Sequence, residues 1–193
     1  MALIYFAVSL FASAFLLFLV QPMIGKMILP RLGGTPQVWN TCMMFFQTVL
    51  LIGYAYTHNI TSRLPVKKQL LVHCIVLLLP LPVLLAFGRP FYVASFGAEG
   101  GGNPIFVTLG LLAMIVGMPF LVVSTTAPLL QRWFNHTGHP AAKDPYFLYG
   151  ASNAGSILGL LLYPVLVERF LGLDEQAWFW LFGYIVLALL VAG

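Results

Sequence analysis

Gln21, Lys26, Asn40, Gln47 and Asn153 are the side chains of this sequence best placed to touch a polar solute, because each stands among apolar neighbours. Four of them are amides, which both donate and accept hydrogen bonds, and the fifth carries a positive charge. Together they could line a polar cavity. Four of the five fall in the stretch FLVQPMIGKMILPRLGGTPQVWNTCMMFFQ, Phe18 to Gln47, and that stretch also reads as architecture. Pro22 and Pro30 cannot donate backbone hydrogen bonds, so the end of a first helix is expected to kink or unwind there. The freed carbonyls need a donor, and Gln21 could supply one. On this reading Gly33, Gly34 and Pro36 form a tight turn, Trp39 anchors an interface, and Lys26 and Arg31 reach out to it.

A second group lies in YGASNAGSILG, Tyr149 to Gly159. Ala151, Gly155 and Gly159 recur every four residues, a small-residue seam that would let another helix approach closely. Asn153 falls off the seam, and a buried amide there should find a partner across a helix pair. His58, His73, His136 and His139 are expected to be solvated on loops, since no Cys or carboxylate joins them at a metal-site spacing. No nucleotide-binding, hydrolase or metalloprotease motif occurs. The sequence therefore predicts no catalytic residue, no cofactor-binding residue, no metal ligand and no enzyme activity. GAEGGGNP, rich in glycine, reads as a flexible turn.

The elements that must carry these residues follow from composition. Apolar residues make up 61% of the 193, charged residues only 7%, and the mean hydropathy is +0.96. A water-soluble domain carries about 25% charged residues to cover its surface. The chain reads instead as an all-α, polytopic integral membrane protein, one domain over 1–193, with helices near 2–24, 38–57, 70–87, 105–127, 146–166 and 177–193. Its first run is long enough to remain as a helix rather than to be a cleaved signal. The net charge of +4 is scattered singly and is not a nucleic-acid signature. Five basic residues (Arg63, Lys67, Lys68, Arg132, Lys143) fall on the N-terminal side and four (Lys26, Arg31, Arg89, Arg169) on the other. That bias points to cytoplasmic termini. All five acids fall at helix ends or in loops, unlike proton-coupled pumps and polycation carriers, which place acids at mid-membrane. Cys42 and Cys74 are expected on opposite faces, too far apart for a disulfide.

The chain also echoes itself. LFLVQPMIGKMILPRL and PFLVVSTTAPLLQRWF each put a polar residue and a proline after Phe-Leu-Val, about 102 residues apart. Asn40, Gln47 and Tyr54 recur every seven residues, as do Tyr149, Ser156 and Tyr163, each predicting a stripe along one helix face. Three helices per copy would invert the second copy, the 3+3 pattern of half a major-facilitator transporter.

Gln21–His58, QPMIGKMILPRLGGTPQVWNTCMMFFQTVLLIGYAYTH, and the block STTAPLLQRWF…DPYFLYGASNAGSILGLLLYPVLVE, Ser124–Glu168, resemble the membrane part of the bacterial fused major-facilitator/spermidine-synthase family. The resemblance implies a transporter-like membrane fold in a bacterial inner (cytoplasmic) membrane. The family's aminopropyltransferase-like domain has no counterpart within the given chain, so its catalytic residues have no positions here. The sequence departs from the family at VERFLGL, Val167–Leu173, where Glu-Pro is usual. The apolar ending LALLVAG implies continuation or cover by another protein. The function expected is a non-catalytic six-helix module, a subunit or scaffold of a larger assembly of other membrane subunits or a second copy within the lipid bilayer. The alternative is an autonomous or homodimeric carrier of a small, polyamine-type solute.

Overall fold

The computed structural model describes residues 2–85, 91 and 103–193, so Arg89 and most of GAEGGGNP lie outside it. Among the described residues there is no strand. Six helices are long and apolar enough to cross a membrane: α1 (Ala2–Arg31), α2 (Pro36–Arg63), α3 (Val66–Leu85), α4 (Pro104–Phe134), α5 (Tyr146–Phe170) and α6 (Leu173–Ala192).

Several run further than hydropathy predicts. α2 continues through the polar residues His58 to Arg63, and α4 through Gln131 and Arg132. Hydropathy reports transfer out of water, whereas the helical hydrogen bond is indifferent to the side chain it carries. The starts are set by caps. Thr35 Oγ1 accepts from Val38 N at 3.4 Å, Asn103 Oδ1 from Ile105 N at 3.0 Å, and a proline follows each cap at the first helical position, where its missing N–H costs nothing. Glu175 accepts from Gly172 N at 2.7 Å, and two acids in the first turn of α6 suit the positive end of its dipole.

The expected unwinding at Pro22 does not occur. α-Helix runs unbroken from Ala2 to Ile28 and tightens into a 3-10 turn only at Leu29–Arg31. Leu19, Val20, Met23 and Ile24, which flank the proline, are wholly buried. Packing of that buried face holds the turn helical despite one missing bond. The predicted turn does form: Gly33 and Gly34 take φ of 90° and 60°, conformations open to glycine, and Gly34 N donates to Leu29 O at 2.9 Å. Like Pro22, Pro128 is held within regular α-helix, whereas two other prolines accompany widened π turns. One turn, Ala113–Gly117, leads into Pro119, and another, Tyr163–Val167, contains Pro164.

α1 packs against α4, α5 and α6, while α2 lies along α4 and α3 along α6. Side chains fasten these contacts to neighbouring backbones. Ser13 Oγ donates to Val123 O at 3.1 Å, Trp180 Nε1 to Leu16 O at 2.9 Å, and Tyr184 OH to Leu77 O at 2.8 Å. Phe46 and Phe120 close the α2–α4 contact with ring centroids 4.8 Å apart.

Candidate functional site

The seam of α5 meets α1. A Cβ built on Gly155 would run into the carbonyl oxygen of Phe11, and one on Gly159 would sit 2.7 Å from that of Phe15. Both glycines are buried and Ala151 is half-buried beside them. The α1 backbone can come this close to α5 only because the residues facing it there are glycines, with no Cβ in between. α2 meets α4 in a comparable way, with Gly53 against Ser124 and Thr125.

The candidate cavity residues are not brought together in the interior. Asn40 and Gln47 are exposed on α2, as is Tyr54 of the same stripe. The opposite face of the helix, with Val38, Cys42, Phe46 and Gly53, is the one that packs inward. Asn153, expected to be buried, is exposed on α5, because the seam turns the other side of that helix toward α1. The stripe Tyr149, Ser156, Tyr163 does not stay on one face: Tyr149 is exposed, Ser156 half-buried and Tyr163 buried. A seven-residue repeat drifts by about 20° per heptad on a straight helix. Gln21 is half-buried and donates to Leu17 O of its own helix at 3.3 Å.

Lys26 reaches across to α5 and pairs with Glu168 at 2.6 Å, both ends being about 40% exposed. The pair borders a recess of about 310 Å³ walled by Pro22, Pro30, Trp39 and Tyr163. Trp39 covers this corner by lying over Gly25, where a Cβ would come within 3.2 Å of the indole. The Tyr163 hydroxyl is buried there without a protein partner. These two helix ends lie 142 residues apart in sequence, a pairing that no local pattern announces.

The principal buried polar group escaped the sequence reading. His73, expected on a solvated loop, is wholly buried in α3. Its Nε2 lies 3.2 Å from Thr126 Oγ1, whose proton goes to Val122 O at 2.9 Å. The other ring nitrogen, Nδ1, is buried without a protein partner. Tyr56, whose hydroxyl is likewise buried without an acceptor, has its ring 6.3 Å from the imidazole. One turn before His73, Gln69 accepts from Trp133 Nε1 at 2.9 Å and donates to Leu64 O at 2.7 Å. The available signal was spacing: Gln69, His73 and Leu77 fall at i, i+4 and i+8, the buried line of α3.

This arrangement offers hydrogen bonds and the Lys26–Glu168 ion pair. Among the described residues no three His, Cys, Asp or Glu side chains gather where they could hold a metal ion, and Cys42 and Cys74 are both free thiols. Set against known proteins, the chain matches no protein-family model, no curated protein and no solved structure.

Proposed function

We propose that the chain is a non-catalytic, transporter-like membrane module of six crossings that works as a subunit or scaffold of a larger membrane assembly. The observation that carries this reading is the exposure of Gln47, twelve residues into the 28 of α2, with Asn40 and Tyr54 on the same stripe. At that depth hydrocarbon cannot satisfy an amide, so the face calls for a protein neighbour. The rest of the surface suits lipid: Leu71, Phe106, Phe182 and Leu189 are each more than 60% exposed, far more apolar surface than a protein in water leaves open.

The pairing of helices supports a transporter-like design. Exchanging α1 with α4, α2 with α5 and α3 with α6 turns the α1–α5 contact into the α4–α2 contact and leaves α1–α4 and α3–α6 unchanged. Both exchanged contacts close on glycine. That is the relation a 3+3 inverted repeat would produce, and it agrees with the Phe-Leu-Val echo and the resemblance to the fused major-facilitator/spermidine-synthase family. A second reading is favoured by the same exposed stripe: two copies facing each other through α2 would enclose it and form a carrier of small polar solutes.

Gentle extraction from the native membrane, followed by native mass measurement and identification of co-purifying chains, tests both. A stoichiometric complex with other subunits supports the assembly, and a pure dimer supports the carrier. A monodisperse monomer overturns both the assembly and the two-copy carrier.

A further inference from the structure

At the end of the bundle where α1 begins and α6 finishes, an open groove of about 860 Å³ lies between α1, α3, α4 and α6. Its walls include Ile4, Val8, Leu70, Trp133 and Leu190, with His136 and Thr137 at the rim. The aromatic walls turn their polar atoms away. Tyr5 OH donates to Leu190 O, and Trp133 Nε1 is taken by Gln69. What faces the groove is almost wholly carbon, and its size falls in the range of sites for small ligands. Its occupant is therefore hydrocarbon rather than a polar solute.

The rim has the opposite character. Lys67 follows the wall residue Val66 and Arg132 precedes Trp133, and both are exposed. At this end of the bundle the last residue of α2, the first turn of α3, the last turn of α4 and the connection after it carry Arg63, Lys67, Lys68, Arg132 and Lys143 against the single acid Asp144. The groove is also short. Its α1 wall runs from Ala2 to Val8, about 9 Å of helix, whereas a neighbouring transmembrane helix would lie along the whole bundle. We propose that this groove holds an acyl chain of one anionic phospholipid, with the phosphate set against Lys67, Arg132 and His136. The inference rests on the membrane reading above. Basic side chains at the interface attract anionic headgroups and are indifferent to net-neutral ones, so the site discriminates by charge as well as by fit.

The test uses the full chain, delipidated in mild detergent, with dioleoylphosphatidylglycerol and dioleoylphosphatidylcholine added in equal amounts and bound lipid counted by native mass spectrometry. The expected result is one phosphatidylglycerol per chain, retained about tenfold over phosphatidylcholine. Lys67→Gln with Arg132→Gln brings the two lipids to parity, and Leu70→Trp, which fills the groove, removes both. Val8→Trp fills the groove from α1 and replaces Leu70→Trp if that variant does not fold, as judged by circular dichroism. Equal retention of both lipids by the unaltered chain overturns the inference. So do undiminished binding to the folded groove-filling variant and a second protein chain seated in the groove in place of lipid. Alkaline carbonate washing of native membranes separates this failure from that of the membrane reading, since only the latter releases the chain into the supernatant.

Discussion

At the scale of single residues, the glycines separate contacts that can yield from those that cannot. Gly155 faces the Phe11 carbonyl, which is backbone, whereas Gly53 faces the Ser124 hydroxyl, which is side chain. Gly155→Ala is expected to lower stability by about 1–3 kcal/mol through forced separation of α1 and α5, read from denaturant unfolding in mixed micelles. Gly53→Ala should cost less, and Gly53→Ala with Ser124→Ala should restore most of the loss. Failure of that rescue would mean that the α2–α4 contact is not limited by the hydroxyl. Trp133→Phe removes the donor to Gln69 Oε1 in a buried site and should cost about 1–3 kcal/mol; an unchanged unfolding midpoint would show that Gln69 finds another donor. The Lys26–Glu168 pair is too exposed to contribute much. Lys26→Gln should change stability by less than about 1 kcal/mol, and a larger loss would indicate that the recess is covered in the assembled protein.

At the scale of elements, α2 has an inward face fixed by Val38, Cys42 and Phe46 and an outward one carrying Asn40 and Gln47. Gln47→Leu should leave the helix and its packing intact, with stability within about 0.5 kcal/mol of the unaltered chain, as for other surface changes. It should weaken association with the neighbouring chain by about 0.6–2 kcal/mol, the scale of one hydrogen bond between transmembrane helices. Dissociation on dilution in detergent measures this, and unchanged dissociation would remove Gln47 from the interface. The existence of the six helices was legible from apolar runs, but their ends were not. α2 and α4 extend into His58–Arg63 and Gln131–Arg132 because helix continues where apolarity stops. The Pro22 turn stayed helical for a reason no local pattern contains, the complete burial of Leu19, Val20, Met23 and Ile24 on one side of it.

At the scale of the molecule, the two close contacts, α1 with α5 and α2 with α4, make a bundle whose tightest packing joins segments distant in sequence. Among the described residues the buried polar side chains are hydroxyls, Gln69, Gln176 and His73, which are scattered over the helices rather than lined up along one path. In native extraction this chain is expected above the mass of a single copy, and carbonate washing should leave it in the membrane fraction.

Composition and apolar run length were enough to determine six long apolar helices, the Gly33-Gly34 turn and the close-packing seam at Gly155 and Gly159. Each of these depends on summed transfer free energy, on φ preference or on side-chain size, and all are local properties. Only the tertiary structure decided that Asn153 faces outward while His73 is enclosed, and that Lys26 meets Glu168 across 142 residues. A helix written in sequence has a periodicity but no compass. Which of its faces is inside is set by the helices it packs against, and that choice is made by the fit of glycine, aromatic and backbone surfaces far apart along the chain.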